Sequence, residues 1–363
     1  MIVEAVAVGL LALIHRGPVT VTVGLVVAAV LTVATLSRRQ GRWWFERRTM
    51  SWQFRRRNAA RPVGPLADRR LAAMQFLAPG LTVDDVEAPD GSNVGVAIDD
   101  AGWYAVAAIN TGAAMYDAGH PQVPLERLVS ALADPEQSGR AVVQLVTHTV
   151  PVPESGGAAG DSYRSLLRRH GPVPVDRATW LTVRLDARAL AEMGAEQPEQ
   201  APAMVASLLR NLVKTLRRAG VAANALDRDG LLAALARSCD LAAPGDVVPA
   251  DPHEEWDAWY SGRLVHRTYW VRDWPPVAQA GPLLDALAAV PGALTSVAVV
   301  LAPDGDKVDI RCLARVAATP NRVPAVSAAV GERAHAAGAR LLALNGEQGP
   351  AAYATAPTGG GPR

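Results

Sequence analysis

The chain has 363 residues, of which 50% are hydrophobic, and a formal net charge of +1 at pH 7. The near-neutral total conceals a split, because residues 62–363 carry 26 basic and 33 acidic side chains and the preceding residues are basic. An acidic region of about 300 residues argues against nucleic-acid binding and is long enough for one large or two small domains. The two cysteines, Cys239 and Cys312, lie in unrelated apolar contexts, which indicates reduced thiols in a cytosolic compartment.

Two apolar segments, 1–14 and 19–36, begin the chain and are separated by a short stretch that ends in Gly17-Pro18. The second segment has 18 residues, which in a helix span about 27 Å, close to the roughly 30 Å hydrocarbon core of a bilayer. The first reaches only about 21 Å. Because Gly-Pro favours a tight turn, we predict a transmembrane helical hairpin over 1–36 with a short first helix. A cleaved signal peptide is disfavoured, since the basic residues follow the apolar core instead of preceding it.

Residues 37–61, here named the collar, contain nine arginines and a single acid, Glu46. Arginines within about 20 residues of a membrane helix end mark the cytoplasmic side, and amphipathic aromatic side chains favour the headgroup layer. The predicted membrane and lipid interface consists of Arg42, Trp43, Trp44, Arg47, Arg48 and Trp52. The collar either binds anionic lipids or serves only as a topology signal. Both interpretations predict a multi-pass protein of the inner membrane with the bulk of the chain in the cytosol.

The region after the collar is predicted to contain a linker, 62–100, with one short helix at 66–77, and then an α/β domain over 101–346. In the first half of that domain, about 101–240, apolar alternation predicts strands and periodic apolar residues predict helices. Strands are expected at 103–110, 141–150 and 180–186, and helices at 124–133, 162–169 and 200–219. The longest helix carries Met204, Leu208, Leu212 and Leu216 four residues apart, which we interpret as its apolar face.

The second half of the domain, about 260–346, has a clearer order. Strands are expected at 266–272, 296–301, 307–316 and 340–344, and helices at 283–290 and 320–337. This is the β-α-β-β-α-β order of ferredoxin-like units, and the first half fits the same order with an insertion. We therefore predict two related units that share one mixed sheet. Residues 347–363 are rich in Gly, Pro, Ala and Thr and are predicted to form a disordered tail.

No motif specifies a catalytic residue, a cofactor or a metal ion. His253, Glu254 and Asp257 share a short segment that suits a cation or a basic partner peptide, although a solvated helix start explains them more simply. The glycine-rich loop 156–160 lacks the Lys-Ser/Thr of a phosphate loop. The sequence Asp-Gly-Asp at 304–306 resembles a carboxylate pair that holds a metal against a nucleotide sugar, but it is typical of a hairpin turn.

Aromatic residues concentrate between 256 and 274. Such a cluster forms either a local core or an interface anchor, because Trp and Tyr are enriched in binding hot spots. The candidate partner-interface residues are Trp256, Trp259, Trp270 and Trp274.

The chain resembles the EccE family, a membrane component of mycobacterial-type ESX (type VII) secretion machinery. The resemblance rests on the hairpin 1–36, the collar sequence Arg42-Trp43-Trp44, and the segments 160–167 and 267–275. It implies a non-catalytic subunit of an inner-membrane complex that also holds EccB, EccD and the ATPase EccC. It also implies a glycosyltransferase-like scaffold without an active site.

The sequence therefore predicts a structural subunit that anchors and stabilises a type VII secretion complex. A membrane-anchored glycosyltransferase-like enzyme is the alternative from another class. A lipid-bound adaptor that works alone is the third possibility.

Overall fold

The computed structural model describes residue 22 and residues 38–39, 42–59, 69–88, 91–110, 141–151, 175–187, 190, 198–241, 252–262, 264–304 and 307–360. Two compact units divide the chain, residues 1–61 and residues 62–363. We name the second unit the body.

The first unit contains a short antiparallel strand pair, β1 (Arg38–Arg39) and β2 (Arg42–Trp43), followed directly by helix α1 (Trp44–Ala59). The sequence did not suggest a helix in the collar. The expected hairpin over 1–36 lies outside the described residues apart from Thr22. Within the described part of the chain, no helix combines the length and the apolar character needed to cross a bilayer.

The body is α/β, as predicted. Its strands are β3 (Thr82–Glu87), β4 (Asn93–Asp99), β5 (Gly102–Ile109), β6 (Val142–Pro151), β7 (Val175–Asp186), β8 (Ala223–Ala225), β9 (His253–Glu254), β10 (Trp259–Ser261), β11 (Leu264–Asp273), β12 (Leu294–Asp304), β13 (Lys307–Ala318) and β14 (Arg340–Ala343). Its helices are α2 (Arg69–Met74), α3 (Ala201–Arg218), α4 (Arg228–Ser238), α5 (Ala280–Ala288), α6 (Val323–Ala336) and α7 (Gln348–Ala354), with single 3₁₀ turns at Pro198–Gln200 and Val277–Gln279.

One sheet of twelve strands runs through the body in the order β3-β4-β5-β7-β6-β12-β13-β11-β10-β9, with β8 paired to β5 and β14 paired to β11. Every strand pair among the described residues is antiparallel. The prediction of a mixed sheet is therefore wrong. In the second half, β13 lies between β11 and β12 and runs antiparallel to both. In the first half, β7 lies in the same way between β5 and β6. The two parallel strands of each βαβ crossover are therefore never neighbours.

The two halves of the sheet repeat the same topology. In the second half, strands β14-β11-β13-β12 lie side by side, which is the 4-1-3-2 order of a ferredoxin-like unit. In the first half, β8-β5-β7-β6 have the same order. The halves meet where β6 pairs with β12, from Val143↔Leu301 to Thr149↔Thr295. The helices expected at 124–133 and 162–169 lie outside the described residues.

Helices cover both faces of the sheet. On the front face, α3, α5 and α6 pack against one apolar cluster, and on the back face, α2, α4 and α7 pack against another. Alternation along β5 divides its side chains between them, with Ala105 and Ala107 in front and Tyr104 and Val106 behind. Strand β12 lies at the centre, and all its residues from Leu294 to Ala302 are buried, as expected of a strand covered on both faces.

The expected linker 62–100 is largely part of the body. It contains α2, which overlaps the predicted helix, and the two strands β3 and β4 at one end of the sheet. Val94 and Val96 of β4 enter the front core. The alternating pattern of β4 was missed because Gly95 and Ala97 are small and add little hydrophobicity to this strand. Gly95 is needed there, since a Cβ at this position would lie 2.6 Å from the backbone of Asp227.

The prediction of a disordered tail over 347–363 is wrong for residues 348–360. Helix α7 forms at Gln348–Ala354, and residues 351–359 are buried. Tyr353 is only 3% exposed, and its hydroxyl lies 2.9 Å from the hydroxyl of Tyr104 on β5. This segment thus covers the back face of the first half of the sheet.

Candidate functional site

Helix α1 presents one basic side around Trp52. The half-buried residues Met50, Ser51, Phe54 and Arg57 recur at helical spacing and occupy one side. The opposite side is exposed, and Trp52 at its centre is 61% exposed. Arg48, Arg55 and Arg56 surround Trp52 on this side, and the guanidinium of Arg56 lies 5.7 Å from the Trp52 ring centroid. An exposed indole flanked by guanidinium groups suits the headgroup layer of an anionic membrane.

Of the other predicted lipid-interface residues, Arg42 and Trp43 form β2, and Trp44 and Arg47 belong to the first turn of α1. The structure brings the six predicted residues into one continuous strand-to-helix segment. The membrane contact itself stays a prediction.

The four candidate partner-interface tryptophans do not form one surface. Trp259 is 2% exposed and is a core residue. Trp274 is half-buried and packs against the front cluster. The ring of Trp256 lies where a side chain at Gly346 would otherwise sit, 2.7 Å from a Cβ built there. Trp270 on β11 is half-buried.

We expect Trp259→Ala to destabilise the body by about 3–5 kcal/mol, because removal of a buried indole leaves a large cavity. The matched change Trp270→Ala removes an indole that is already partly hydrated, so its effect on stability is expected to be clearly smaller. Thermal unfolding of the two purified variants measures the difference. Equal losses would contradict the assignment of Trp259 to the core and of Trp270 to a half-buried, partly hydrated position.

The polar residues His253, Glu254 and Asp257 also separate. His253 stacks on Tyr260 with ring centroids 4.6 Å apart, and Glu254 accepts a 3.0 Å hydrogen bond from the Gly349 N–H. Asp257 pairs with Arg267 at 2.5 Å. Among the described residues, no group of three His, Cys, Asp or Glu side chains is placed to hold a metal ion.

The other two sequence motifs are described only in part. Asp304 ends β12 and pairs with Lys307, the first residue of β13, which fits the predicted hairpin; residues 305 and 306 lie outside the described part, as does the loop 156–160.

A buried polar cluster, which sequence reasoning missed, lies on the back face beneath the C-terminal end of α4. Its centre is Arg315 on β13, which is fully buried. The Arg315 Nη2 atom donates to the Ser238 carbonyl at 2.5 Å and to the Ser296 Oγ at 3.2 Å. Its Nη1 atom lies 3.4 Å from Nδ1 of His266. We name this group the Arg315 cluster; it also contains His148, Ser261 and Asp240.

The Arg315 cluster forms a chain of hydrogen bonds that leads to the surface. His148 Nδ1 lies 2.9 Å from the Ser296 Oγ, and His266 Nε2 lies 2.6 Å from the Ser261 Oγ. The Ser261 hydroxyl in turn donates to Asp240 Oδ2 at 3.1 Å. The Asp240 side chain is 31% exposed and marks the outer end of the chain.

The Ser261–His266 pair is not arranged as a nucleophile and base. A guanidinium only donates, so Nδ1 of His266 must present a lone pair to Arg315 and Nε2 must carry the proton. The imidazole therefore donates to Ser261 and cannot accept its proton, whereas a catalytic base needs the opposite tautomer. The pair links β10 and β11 to Asp240, which follows α4.

Burial controls the protonation of the Arg315 cluster. Desolvation, with the Arg315 charge as a second cause, lowers the pKa of His148 to about 3. The same two causes lower the pKa of His266 well below its ordinary range. Desolvation raises the pKa of Asp240 to about 6, against its hydrogen bond from Ser261 and the field of Arg315. Both imidazoles are thus neutral at physiological pH.

Arg315 has a counterpart on the corresponding strand of the first half. Arg184 on β7 is buried, forms an ion pair with Asp99, and donates to the Thr358 carbonyl at 2.7 Å. Arg184 lies in the first half and bonds Thr358, which follows the second half. Arg315 lies in the second half and bonds Ser238 at the end of α4, in the first half. This reciprocal exchange ties the two halves together. The sequence signal was an arginine placed between two apolar residues of a strand, as in Val183-Arg184-Leu185 and Ala314-Arg315-Val316.

The family model described as EccE, a type VII ESX secretion system translocon protein, matches residues 173–271. This segment is a match to the EccE family. The resemblance inferred from the sequence is thereby confirmed over these residues. No curated protein matches the chain. On the fold, the EccE-matching segment begins two residues before β7 and ends within β11, so it contains Asp240, Ser261 and His266 of the Arg315 cluster.

Proposed function

We propose that this chain is a non-catalytic structural subunit of a type VII (ESX) secretion complex in the inner membrane. The observation that carries the proposal is the match of residues 173–271 to the EccE translocon family. The matched residues connect the two halves of the body through β7, α3, α4 and β11. In this role the body stabilises the assembly, and EccB, EccC and EccD are its expected partners.

The collar supports membrane attachment in this proposal. Helix α1 is too polar to insert across a bilayer, but its exposed side matches an anionic surface through Arg48, Arg55 and Arg56. Each basic residue near such a surface contributes about 1 kcal/mol. We infer that α1 lies along the cytoplasmic surface, next to the predicted hairpin.

Replacing Trp43, Trp44 and Trp52 with serine is expected to loosen the chain from its complex and leave the body folded, because none of these residues belongs to the body. We expect recovery of the chain with its partners after detergent extraction to fall by about tenfold, the effect of roughly 1.4 kcal/mol. The measurement is co-purification from isolated membranes.

Val277→Ser serves as the control for the collar exchange, because it removes an apolar side chain of the body that is 91% exposed. Undiminished recovery of the collar variant would show that the collar acts only as a topology signal. Absence of translocon subunits from the unmodified preparation would contradict the proposed function itself. Binding of a nucleotide sugar together with a divalent cation would favour the enzyme alternative.

A further inference from the structure

A pocket opens where the sheet is interrupted along one side of β11. Strand β10 pairs with β11 only from Leu264 to His266, and β14 pairs with it only from Tyr269 to Asp273. At Thr268, between these ladders, the backbone N–H donates to the Gln348 Oε1 at 2.8 Å, and the carbonyl accepts from the Leu344 N–H at 3.0 Å. Segment 344–348 thus closes the gap in hydrogen bonding but leaves an opening beside it.

The opening, here named the edge pocket, has a volume of about 140 Å³ and is lined by Asp257, Arg267, Tyr269, Ala343, Asn345 and Gln348. Sites for cofactors and metabolites commonly measure about 300–1,000 Å³, whereas a cavity of about 150 Å³ holds a group the size of benzene. The edge pocket therefore has room for one side chain and not for a nucleotide.

The lining of the edge pocket is rich in hydrogen-bond donors. Arg267 uses Nη2 to pair with Asp257, and its side chain is 30% exposed. A guanidinium has five N–H donors, so this one pairing does not use all of them. Gln348 is 1% exposed, and its oxygen is committed to the Thr268 N–H. The two N–H donors of its NH₂ group therefore remain for a ligand. Asn345 and Tyr269 add an amide and a phenol to the same wall.

These donors favour a planar acceptor group with two oxygens, such as a carboxylate. A guanidinium binds carboxylates through its planar edge, and an arginine that pairs with one carboxylate through a single nitrogen keeps further N–H donors for a second. Asp257 neutralises Arg267, so a doubly charged phosphate would meet repulsion that a single carboxylate meets less strongly. Arg267 and Tyr269 also fall within the EccE-matching segment.

We propose that the edge pocket binds the side-chain carboxylate of an aspartate or glutamate from a partner subunit. The inference rests on the proposed function, because it requires that the chain be held in a multi-subunit complex. The pocket acts as a polar contact at the rim of that interface, where it sets the orientation of the partner.

The first test removes donors from the pocket in the full chain within its native complex. Tyr269→Phe combined with Asn345→Ala is expected to reduce the fraction of partner subunits retained at raised salt by about tenfold. Tyr260→Phe is the matched control, since the Tyr260 hydroxyl bonds Glu255 outside the pocket. Equal retention by the pocket variant and the control would overturn the proposal.

The second test identifies the ligand directly. In Arg267→Lys combined with Asp257→Asn, a water-soluble carbodiimide is expected to join the new amine to an aspartate or glutamate of a co-purifying chain, found by peptide mass spectrometry. Arg272→Lys on the same strand is the control outside the pocket. A link to an acid of the same chain, or no link in a complex that stays assembled, would overturn the proposal. Loss of the complex from the unmodified chain would instead refute the proposed function.

Discussion

Replacing Gly359 with alanine is expected to destabilise the body by about 3 kcal/mol, a large share of the roughly 5–15 kcal/mol that stabilises a typical domain. Gly359 has φ +82°, where an L side chain costs about 1–2 kcal/mol. A Cβ at this position would also lie 2.5 Å from the Cβ of Arg184. That atom is close to the backbone of β7 and cannot move away, so overpacking adds about 1–3 kcal/mol.

Gly220 provides the matched control for Gly359. It follows α3, also has φ +82°, and would carry a Cβ with no atom within 4 Å. Gly220→Ala therefore imposes the same backbone strain without the clash, and we expect it to cost only about 1–2 kcal/mol. Urea unfolding of the two full-length variants, followed by tryptophan fluorescence, gives the difference. Equal effects would show that residues 348–360 do not pack against Arg184 in solution.

The second large effect concerns acid. The stability of the body is expected to fall as the pH decreases below about 6.5, because unfolding lets His148 and His266 take up protons that they cannot bind while buried. Each such proton changes the unfolding free energy by about 1.4 kcal/mol per pH unit. Asp240 acts in the opposite direction between about pH 4 and 6, because its raised pKa lets the folded state hold a proton that the unfolded state has lost.

Two variants separate these contributions. Near pH 5, unfolding lets the two histidines take up about two protons and makes Asp240 release about one, so the net uptake is about one proton. Asp240→Asn removes the release, and is therefore expected to raise the slope of stability against pH by about 1.4 kcal/mol per unit. His148→Asn should lower that slope by a similar amount. Asparagine also suits the positive φ of +57° at residue 240. Slopes that match the unmodified protein in both variants would mean that the cluster is hydrated and not buried.

Periodic apolar residues located the main elements, but the face of α3 shows the limits of such patterns. The row Met204, Leu208, Leu212 and Leu216 advances about 40° at each step, because four residues exceed one turn of 3.6. It therefore drifts around the helix, and Met204 is 40% exposed. The buried set is Ala201, Val205, Ala206, Leu209, Val213 and Leu216. These residues keep the average helical period and face the sheet.

Other features depend on contacts between distant segments, which local patterns do not report. The β-α-β-β-α-β order was readable from the second half, and the sheet there agrees with it. The antiparallel arrangement follows from the spatial order of the strands within each half, and the joining of β6 to β12 follows only when both halves are assembled. Arg315 and His266 are 49 residues apart, so the Arg315 cluster leaves no motif at fixed spacing. The partner-interface and lipid-interface residues stay predictions.

Residues 348–360 show why composition misjudged the end of the described chain. Small residues there have little surface to bury, but their backbone is bonded by side chains of the first half. Gln144 accepts from the N–H groups of Thr358 and Gly359, and donates to the Ala354 carbonyl. Small size is what permits this close approach. The small residues that lower the hydrophobicity of 348–360 therefore belong to a closely packed segment and not to a disordered one.

The position of residues 348–360 also affects how the protein is made. Strands β5, β6 and β7 leave the ribosome long before the segment that covers their back face. At roughly 5–20 residues per second, residue 360 is synthesised on the order of ten seconds after α4. During that interval Tyr104, Gln144 and Arg184 have no cover from the segment, and the growing chain presents an incomplete sheet face to the cell. Premature termination within the segment would make that state permanent, so such products are expected to be targets for chaperones and proteases.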